Sequence, residues 1–198
     1  MTLALRGKVA LVTGSSRGIG TAIAAAFARQ GATVVVHGRD DAALTLARTE
    51  VQWDGGTALV VRGDVTSPAD LAAMRATIER DAGPVDILVA NAGGSFTPPA
   101  PLEEIPIYGW MASVQGNLTA TFLTIREFLP RMKERRAGNI ITISSAAARR
   151  PHPQSPIPYA AAKAGVQMMK STDKVIVASG FAGPLASFKE VLHALDSK

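Results

Sequence analysis

Val9-Ala10-Leu11-Val12-Thr13-Gly14-Ser15-Ser16-Arg17-Gly18-Ile19-Gly20 is the stretch on which the fold turns. A short run, apolar at every position, passes without a polar face into a turn carrying three glycines. An Ala-rich segment of helical pattern, Gly18–Gln30, follows at once. A strand apolar on both faces belongs inside a covered sheet. Glycines placed after it permit a tight turn, and they let backbone N–H groups and a helix N-terminus approach a pyrophosphate. The spacing is G-x-x-x-G-x-G, not the commoner G-x-G-x-x-G. As a bare pattern it is weak, because a Gly-rich turn after a strand is often only a turn. Its position between the first strand and a helix favours the phosphate-binding reading.

Outward from this turn the chain alternates short β-branched runs with longer amphipathic ones. Strands are expected at Val9–Val12, Thr33–Val36, Ala58–Val61, Ile87–Ala90 and Asn139–Ile143. Helices are expected at Gly18–Gln30, Asp41–Val51, Ala69–Asp81, Glu104–Arg135 (with a break at Gly116) and Tyr159–Thr172. Ser67-Pro68 is a good helix start, a capping serine followed by a proline in the first turn. Strands apolar on both faces, separated by helices, define an α/β fold with a doubly wound parallel sheet.

At 198 residues the chain reads as one domain, 1–198, able to bury roughly 70% of its unfolded surface. No apolar run is long enough to span a bilayer, and the first residues do not have the shape of a signal peptide. Cysteine is absent, which excludes disulfides and thiolate metal sites and suits a reducing, cytoplasmic setting. The net charge of +5 is spread along the chain except at Arg131, Lys133, Arg135 and Arg136. That cluster reads as the C-terminal end of a helix, where cations favour the dipole, and not as a nucleic-acid patch. His37, His152 and His193 show no ligand spacing, so no metal site is expected. Trp53, Trp110 and Phe122 are expected to pack. Phe96–Pro101 either borders a substrate mouth or is a plain surface loop.

The second strand runs into Val36-His37-Gly38-Arg39. A dinucleotide fold selecting NAD expects an acid here, gripping the ribose 2′-hydroxyl. Gly38 offers no carboxylate to repel a phosphate, and Arg39 offers a fork that can bind one bidentately. The reading is therefore NADP(H) over NAD(H), with Arg17 adding charge in the loop. Asp40 weakens that preference if it faces the ribose; as an N-cap for the helix beginning at Asp41 it does not, and the cap reading is preferred.

Tyr159 and Lys163 lie four residues apart across three alanines, on one helical face. A free phenol titrates near ~10, and bringing it near neutrality takes roughly 4 kcal/mol. An ammonium at about 4 Å supplies that order of energy at an effective dielectric of ~20. The pair is a physically adequate acid/base device.

Taken together these residues resemble the short-chain dehydrogenase/reductase family, in its compact 3-oxoacyl-carrier-protein-reductase-like branch. The resemblance covers residues 7 to about 170. It rests on Gly14/Gly18/Gly20, Asp64-Val65 after the third strand, and Asn91-Ala92-Gly93 after the fourth. Asn117 in the long helix, Ser144-Ser145 after the fifth strand and Tyr159-Ala160-Ala161-Ala162-Lys163 complete it. The resemblance implies a Rossmann fold and a catalytic tetrad of Asn117, Ser145, Tyr159 and Lys163. In it Tyr159 exchanges a proton with the substrate oxygen while hydride passes between nicotinamide and carbonyl carbon. Ser145 polarises that oxygen, Lys163 supports Tyr159 and the nicotinamide ribose, and Asn117 anchors a water. Ser145 is preferred to Ser144 as the second of the pair. Cofactor contacts are implied at Gly14, Ser16, Arg17, Gly18, Ile19, Gly20, Arg39, Asp64, Val65, Asn91, Ala92, Gly93, Tyr159 and Lys163. The implied partner is a small-molecule carbonyl or alcohol, with neither nucleic acid nor membrane.

After Lys163 the sequence departs from the family, whose members continue this helix and add two strands and a substrate-covering segment. Here Val175–Ala178 reads as a sixth strand paired to the fifth, or in the alternative as the family's last strand. Pro184 then opens a helix with Leu185, Phe188, Val191, Leu192 and Leu195 on one face. Most of the substrate lid has no counterpart, so the alternative function is a non-catalytic nucleotide-binding or interaction protein. Family members associate through the long helix and the Tyr/Lys helix, which implies a homo-oligomer; a shortened second helix reads against the usual four-helix interface.

Overall fold

The computed structural model describes residues 3–53, 55–150 and 152–169. Five parallel strands form one sheet in the order β3-β2-β1-β4-β5. They are β1 (Val9–Val12), β2 (Thr33–Gly38), β3 (Thr57–Arg62), β4 (Ile87–Ala90) and β5 (Asn139–Thr142). The helices are α1 (Gly18–Arg29), α2 (Asp41–Gln52), α3 (Pro68–Asp81), α4 (Ile107–Ser113), α5 (Ala120–Arg135) and α6 (Ile157–Gln167). The expected further strand at Val175–Ala178 and the helix after Pro184 lie outside the described residues.

Alternation along the strands builds two apolar layers. Ala10, Val12, Val34, Val36, Val89 and Ile141 meet Ile23 and Phe27 of α1 and Leu44 of α2 on one face. Leu11, Val35, Leu88 and Ile140 meet Leu71 and Ile78 of α3 and Phe128 and Met132 of α5 on the other. Burying each large side chain contributes about 1.5–3 kcal/mol, which is why these runs tolerate no polar face. β1 occupies the centre, with Val12 opposite Val36 on one side and Val89 on the other. The chain runs outward from β1 through β2 and β3, then returns to β4 and β5, so the strand order reverses between β1 and β4. Ligands of such sheets sit beyond the strand ends at this switch point.

Local chemistry sets the helix starts. Asp40 caps α2, its carboxylate accepting the Ala43 N–H at 2.8 Å, which accounts for Asp40 as a cap. Ser67 caps α3, with Pro68 in its first turn. The long helix expected from Glu104 starts at Ile107, because Pro106 fixes the entry. At Val114–Thr119 it winds into a π turn that contains both Gly116 and Asn117. The Phe96 ring lies where a Gly116 Cβ would stand, and the Thr97 methyl does the same at Gly109. The 96–101 segment is therefore seated on this helix through two glycine notches. Trp53, Trp110 and Phe122 are not the packing residues expected: all three are exposed, Trp53 to 83% at the end of α2.

Candidate active site

The crevice between β1 and β4 is closed by hydrogen bonds before any ligand enters. Thr13 takes the first position beyond β1. Its hydroxyl accepts the Asn91 and Ala92 N–H groups at 3.0 and 3.1 Å. The Asn91 amide donates back to the Thr13 and Gly14 carbonyls at 2.9 and 3.2 Å. Gly14 sits at φ +64 and Gly18 at φ +61, conformations that L side chains rarely adopt. A Cβ at Gly14 would lie 2.9 Å from the Ala92 Cα, and one at Gly20 would lie 2.5 Å from the Gly14 carbonyl. Gly14 is required on both counts, Gly18 by its φ and Gly20 by close approach.

α1 opens on this turn without a side-chain cap and without an acid in its first turn, unlike α2 and α3. Its first N–H groups and positive dipole end therefore remain available to an anion. Across the crevice Lys163 is 4% exposed. Its Nζ donates to the Ile143 carbonyl at 2.8 Å and stands 5.9 Å from the centre of the Tyr159 ring. Burial pushes its pKa down to about 8. One of its three N–H groups is engaged among the described residues, and the other two are buried donors awaiting acceptors. Gly93 lies beside it; a Cβ there would fall 3.4 Å from the Lys163 Nζ and 2.5 Å from the Asn117 Oδ1. Uncapped helix, glycine cradle and orphan ammonium donors together fit a dinucleotide: pyrophosphate at α1, ribose hydroxyls at Lys163.

Gly14, Arg17, Ile19, Gly20, Asn91, Gly93, Tyr159 and Lys163, all named from the sequence, line one cavity of about 220 Å³. Gly94 and Ile143 line it too and were not among them, as does Ser144, the serine set second to Ser145. Gly94 and the Ile143 carbonyl act through the backbone and leave no residue-type signal. Asn117 is fully buried within the π turn, its Oδ1 accepting the Gly94 N–H at 3.1 Å. Its Nδ2 donates to the Gly94 and Ser113 carbonyls, both at 2.9 Å. With both amide hydrogens committed, Asn117 holds the Gly93–Gly94 segment against Lys163, and any water it anchors must bind elsewhere on the residue.

The two serines divide in the same way. Ser144 Oγ is buried and donates to the Lys163 carbonyl at 2.9 Å, fixing α6 to the end of β5. Ser145 is half-buried and its Oγ accepts the Ala147 N–H at 3.3 Å, so its own proton is uncommitted among the described residues. Ser16, Gly18, Ala92, Arg39, Asp64, Val65, Asn117 and Ser145, also named from the sequence, do not line it. Ser16 packs on Gly38, where a Cβ would come within 2.9 Å of its Oγ. Arg39 is exposed, with Nη1 3.4 Å from Asp64 Oδ2. Asp64 Oδ1 accepts from the Thr66 N–H at 2.8 Å and from the Thr66 hydroxyl, bonds that hold its pKa below the usual carboxylate value. Val65 is buried in the core layer.

A parallel doubly wound sheet with a glycine turn, an uncapped helix start and a buried lysine at its switch point defines a dinucleotide-binding α/β protein. The chain matches the short chain dehydrogenase family over residues 8–176 and belongs to it. It is 36% identical over 173 residues to a D-beta-hydroxybutyrate dehydrogenase of Rhizobium meliloti, a match covering 86% of this chain and 66% of that protein. A short-chain type dehydrogenase/reductase from Mycobacterium marinum superposes with a TM-score of 0.79 at 34% identity, over 83% of this chain and 67% of the other. A 7 alpha-hydroxysteroid dehydrogenase complexed with NADH and 7-oxo glycochenodeoxycholic acid superposes with a TM-score of 0.76 at 36% identity, over 83% and 64%. The chain spans between about half and two thirds of the length of the curated relatives it matches.

Proposed function

We propose that this chain is an NADP(H)-dependent oxidoreductase that interconverts a carbonyl and a secondary alcohol. The observation that carries the reading is Lys163: a buried ammonium with two donors unengaged among the described residues, beside Tyr159 and facing an uncapped helix start in one cavity. The bound nicotinamide supplies or accepts the hydride. Lys163 takes the ribose hydroxyls on its free N–H groups and stabilises negative charge on the Tyr159 oxygen. The Tyr159 hydroxyl holds the proton exchanged with the substrate oxygen. Ser145, its proton uncommitted among the described residues, donates to the same oxygen where charge develops. Asn117 acts through Gly93–Gly94, keeping the backbone beside Lys163 in place. Asp64 and Val65 would flank the adenine, Val65 with little of its surface exposed.

Arg39 and Gly38 support NADP over NAD. The Arg39–Asp64 contact is exposed and long, of the kind that contributes about 0–1 kcal/mol, so a 2′-phosphate can displace it. The substrate panel follows from the family and the named relative: ketones, 3-oxoacyl thioesters and a 3-oxo acid. Steady-state oxidation of NADPH should exceed that of a folded Tyr159→Phe variant by about a hundredfold or more with at least one of them. Turnover no higher than that variant sinks the catalytic reading. NADPH binding without turnover would then favour a non-catalytic nucleotide-binding protein.

A further inference from the structure

One buried titratable side chain near the crevice has no part in this chemistry. His37 of β2 is 2% exposed, and both of its ring nitrogens are engaged. Nδ1 accepts the Gly14 N–H at 2.9 Å, so the ring proton must sit on Nε2, which faces the Gly63 carbonyl at 3.1 Å. Only the neutral Nε2–H tautomer satisfies both partners. Burial keeps the ring in that form, lowering its pKa to about 4. The His37 main chain is tied to the same turn. Its carbonyl accepts the Ser15 N–H at 2.9 Å, and its N–H donates to Ser15 Oγ at 2.9 Å. Ser15 Oγ in turn donates to the Val12 carbonyl at 2.7 Å. Gly14 is thereby pinched between His37 on one side and Ala92 on the other.

Gly63 precedes Asp64, at the turn beyond β3, and Gly14 belongs to the turn beyond β1. One imidazole therefore spans the two loops that flank the adenosine half of a dinucleotide in the reading above. We propose that His37 is a positioning residue for the nucleotide cradle, bracing the Gly14 turn against the Gly63–Asp64 turn and so setting the distance between the pyrophosphate wall and the adenine wall. The inference rests on the nucleotide-binding half of the proposed function. A histidine that merely filled the core would be replaceable by any side chain of its volume. A brace needs an acceptor where Nδ1 stands.

His37→Phe keeps a planar ring, somewhat larger than imidazole, and removes both polar atoms, while His37→Asn keeps an acceptor for Gly14 but is too short to reach Gly63. Calorimetric titration with 2′,5′-ADP, which carries the adenosine half alone, reads the difference. His37→Phe, which loses both ends of the brace, should weaken binding about tenfold or more, and His37→Asn, which loses the Gly63 end alone, should fall between His37→Phe and wild type at about threefold. Binding by His37→Phe within about threefold of wild type, or equal losses in both variants, overturns the inference. If His37→Phe fails to fold, His37→Asn together with the imidazole ¹⁵N spectrum of the wild type carries the test. A ring protonated at Nδ1, or a folded His37→Asn that binds as wild type does, overturns the brace. Wild-type protein that binds neither 2′,5′-ADP nor NADPH overturns the nucleotide reading and this inference with it. Wild-type binding with an indifferent His37→Phe overturns this inference alone.

Discussion

Replacing Lys163 with methionine should stabilise the free protein at neutral pH while removing its chemistry. Burial lowers the Lys163 pKa from 10.5 to about 8, a difference of about 2.5 units or ~3.4 kcal/mol. At pH 7 the amine is protonated in both the folded and the unfolded chain, so the fold carries that whole cost. Between about pH 8 and 10.5 the unfolded chain holds a proton that the folded chain has released. Stability therefore rises with pH through that window, complete above it and lost below it. Methionine has similar length and no charge, and it forfeits the hydrogen bond to the Ile143 carbonyl, worth ~1 kcal/mol. The variant should gain about 2 kcal/mol at pH 7, or roughly 4–8 °C in Tm for a chain of this size. Near pH 10.5 the wild type recovers its ~3 kcal/mol and the order reverses by about 1 kcal/mol. Thermal unfolding of both proteins at the two pH values, without nucleotide, reads the crossing. A methionine variant less stable at pH 7, or a difference that ignores pH, would refute the account of Lys163 as a buried ammonium held at a cost.

Two further substitutions probe the cradle. Gly20→Ala puts a Cβ 2.5 Å from the Gly14 carbonyl and 2.7 Å from the Asn91 amide nitrogen, both locked in the crevice network. It should cost about 2–4 kcal/mol in chemical denaturation and weaken NADPH more than about tenfold; a variant indistinguishable from wild type would mean the turn does not pack as described. Arg39→Ala should weaken NADPH about tenfold while changing NADH by less than about twofold, measured by calorimetry. Equal losses for the two nucleotides would remove Arg39 from the 2′-phosphate.

Strand identity was legible because burial on both faces leaves a run of β-branched and aliphatic residues that no helix period imitates, as at Val9–Val12 and Ile87–Ala90. The caps were legible for the same local reason: Asp40 and Ser67 act on backbone within three residues of themselves. Gly116 marked the break in the long helix, but the Phe96 ring seated in its notch comes from about twenty residues upstream in the chain. No window on the helix contains that information. The exposure of Trp53 and Phe122 runs against their residue type and reflects tertiary placement. His37 was visible as a lone histidine just past the expected end of an apolar strand and was weighed only as a metal ligand. Its partners, Gly14 N–H and the Gly63 carbonyl, are backbone groups brought together by parallel pairing of β1, β2 and β3. Ile143 enters the site through its carbonyl for the same reason.

The central claim is that Tyr159 and Lys163 serve a hydride transfer between nicotinamide and a carbonyl carbon. NADPH deuterated at the transferable C4 position, incubated with the carbonyl panel, tests it in a single product analysis. Wild type should form an alcohol bearing deuterium on the former carbonyl carbon, and Tyr159→Phe should not. An alcohol without the label, or equal labelled product from both proteins, would contradict it.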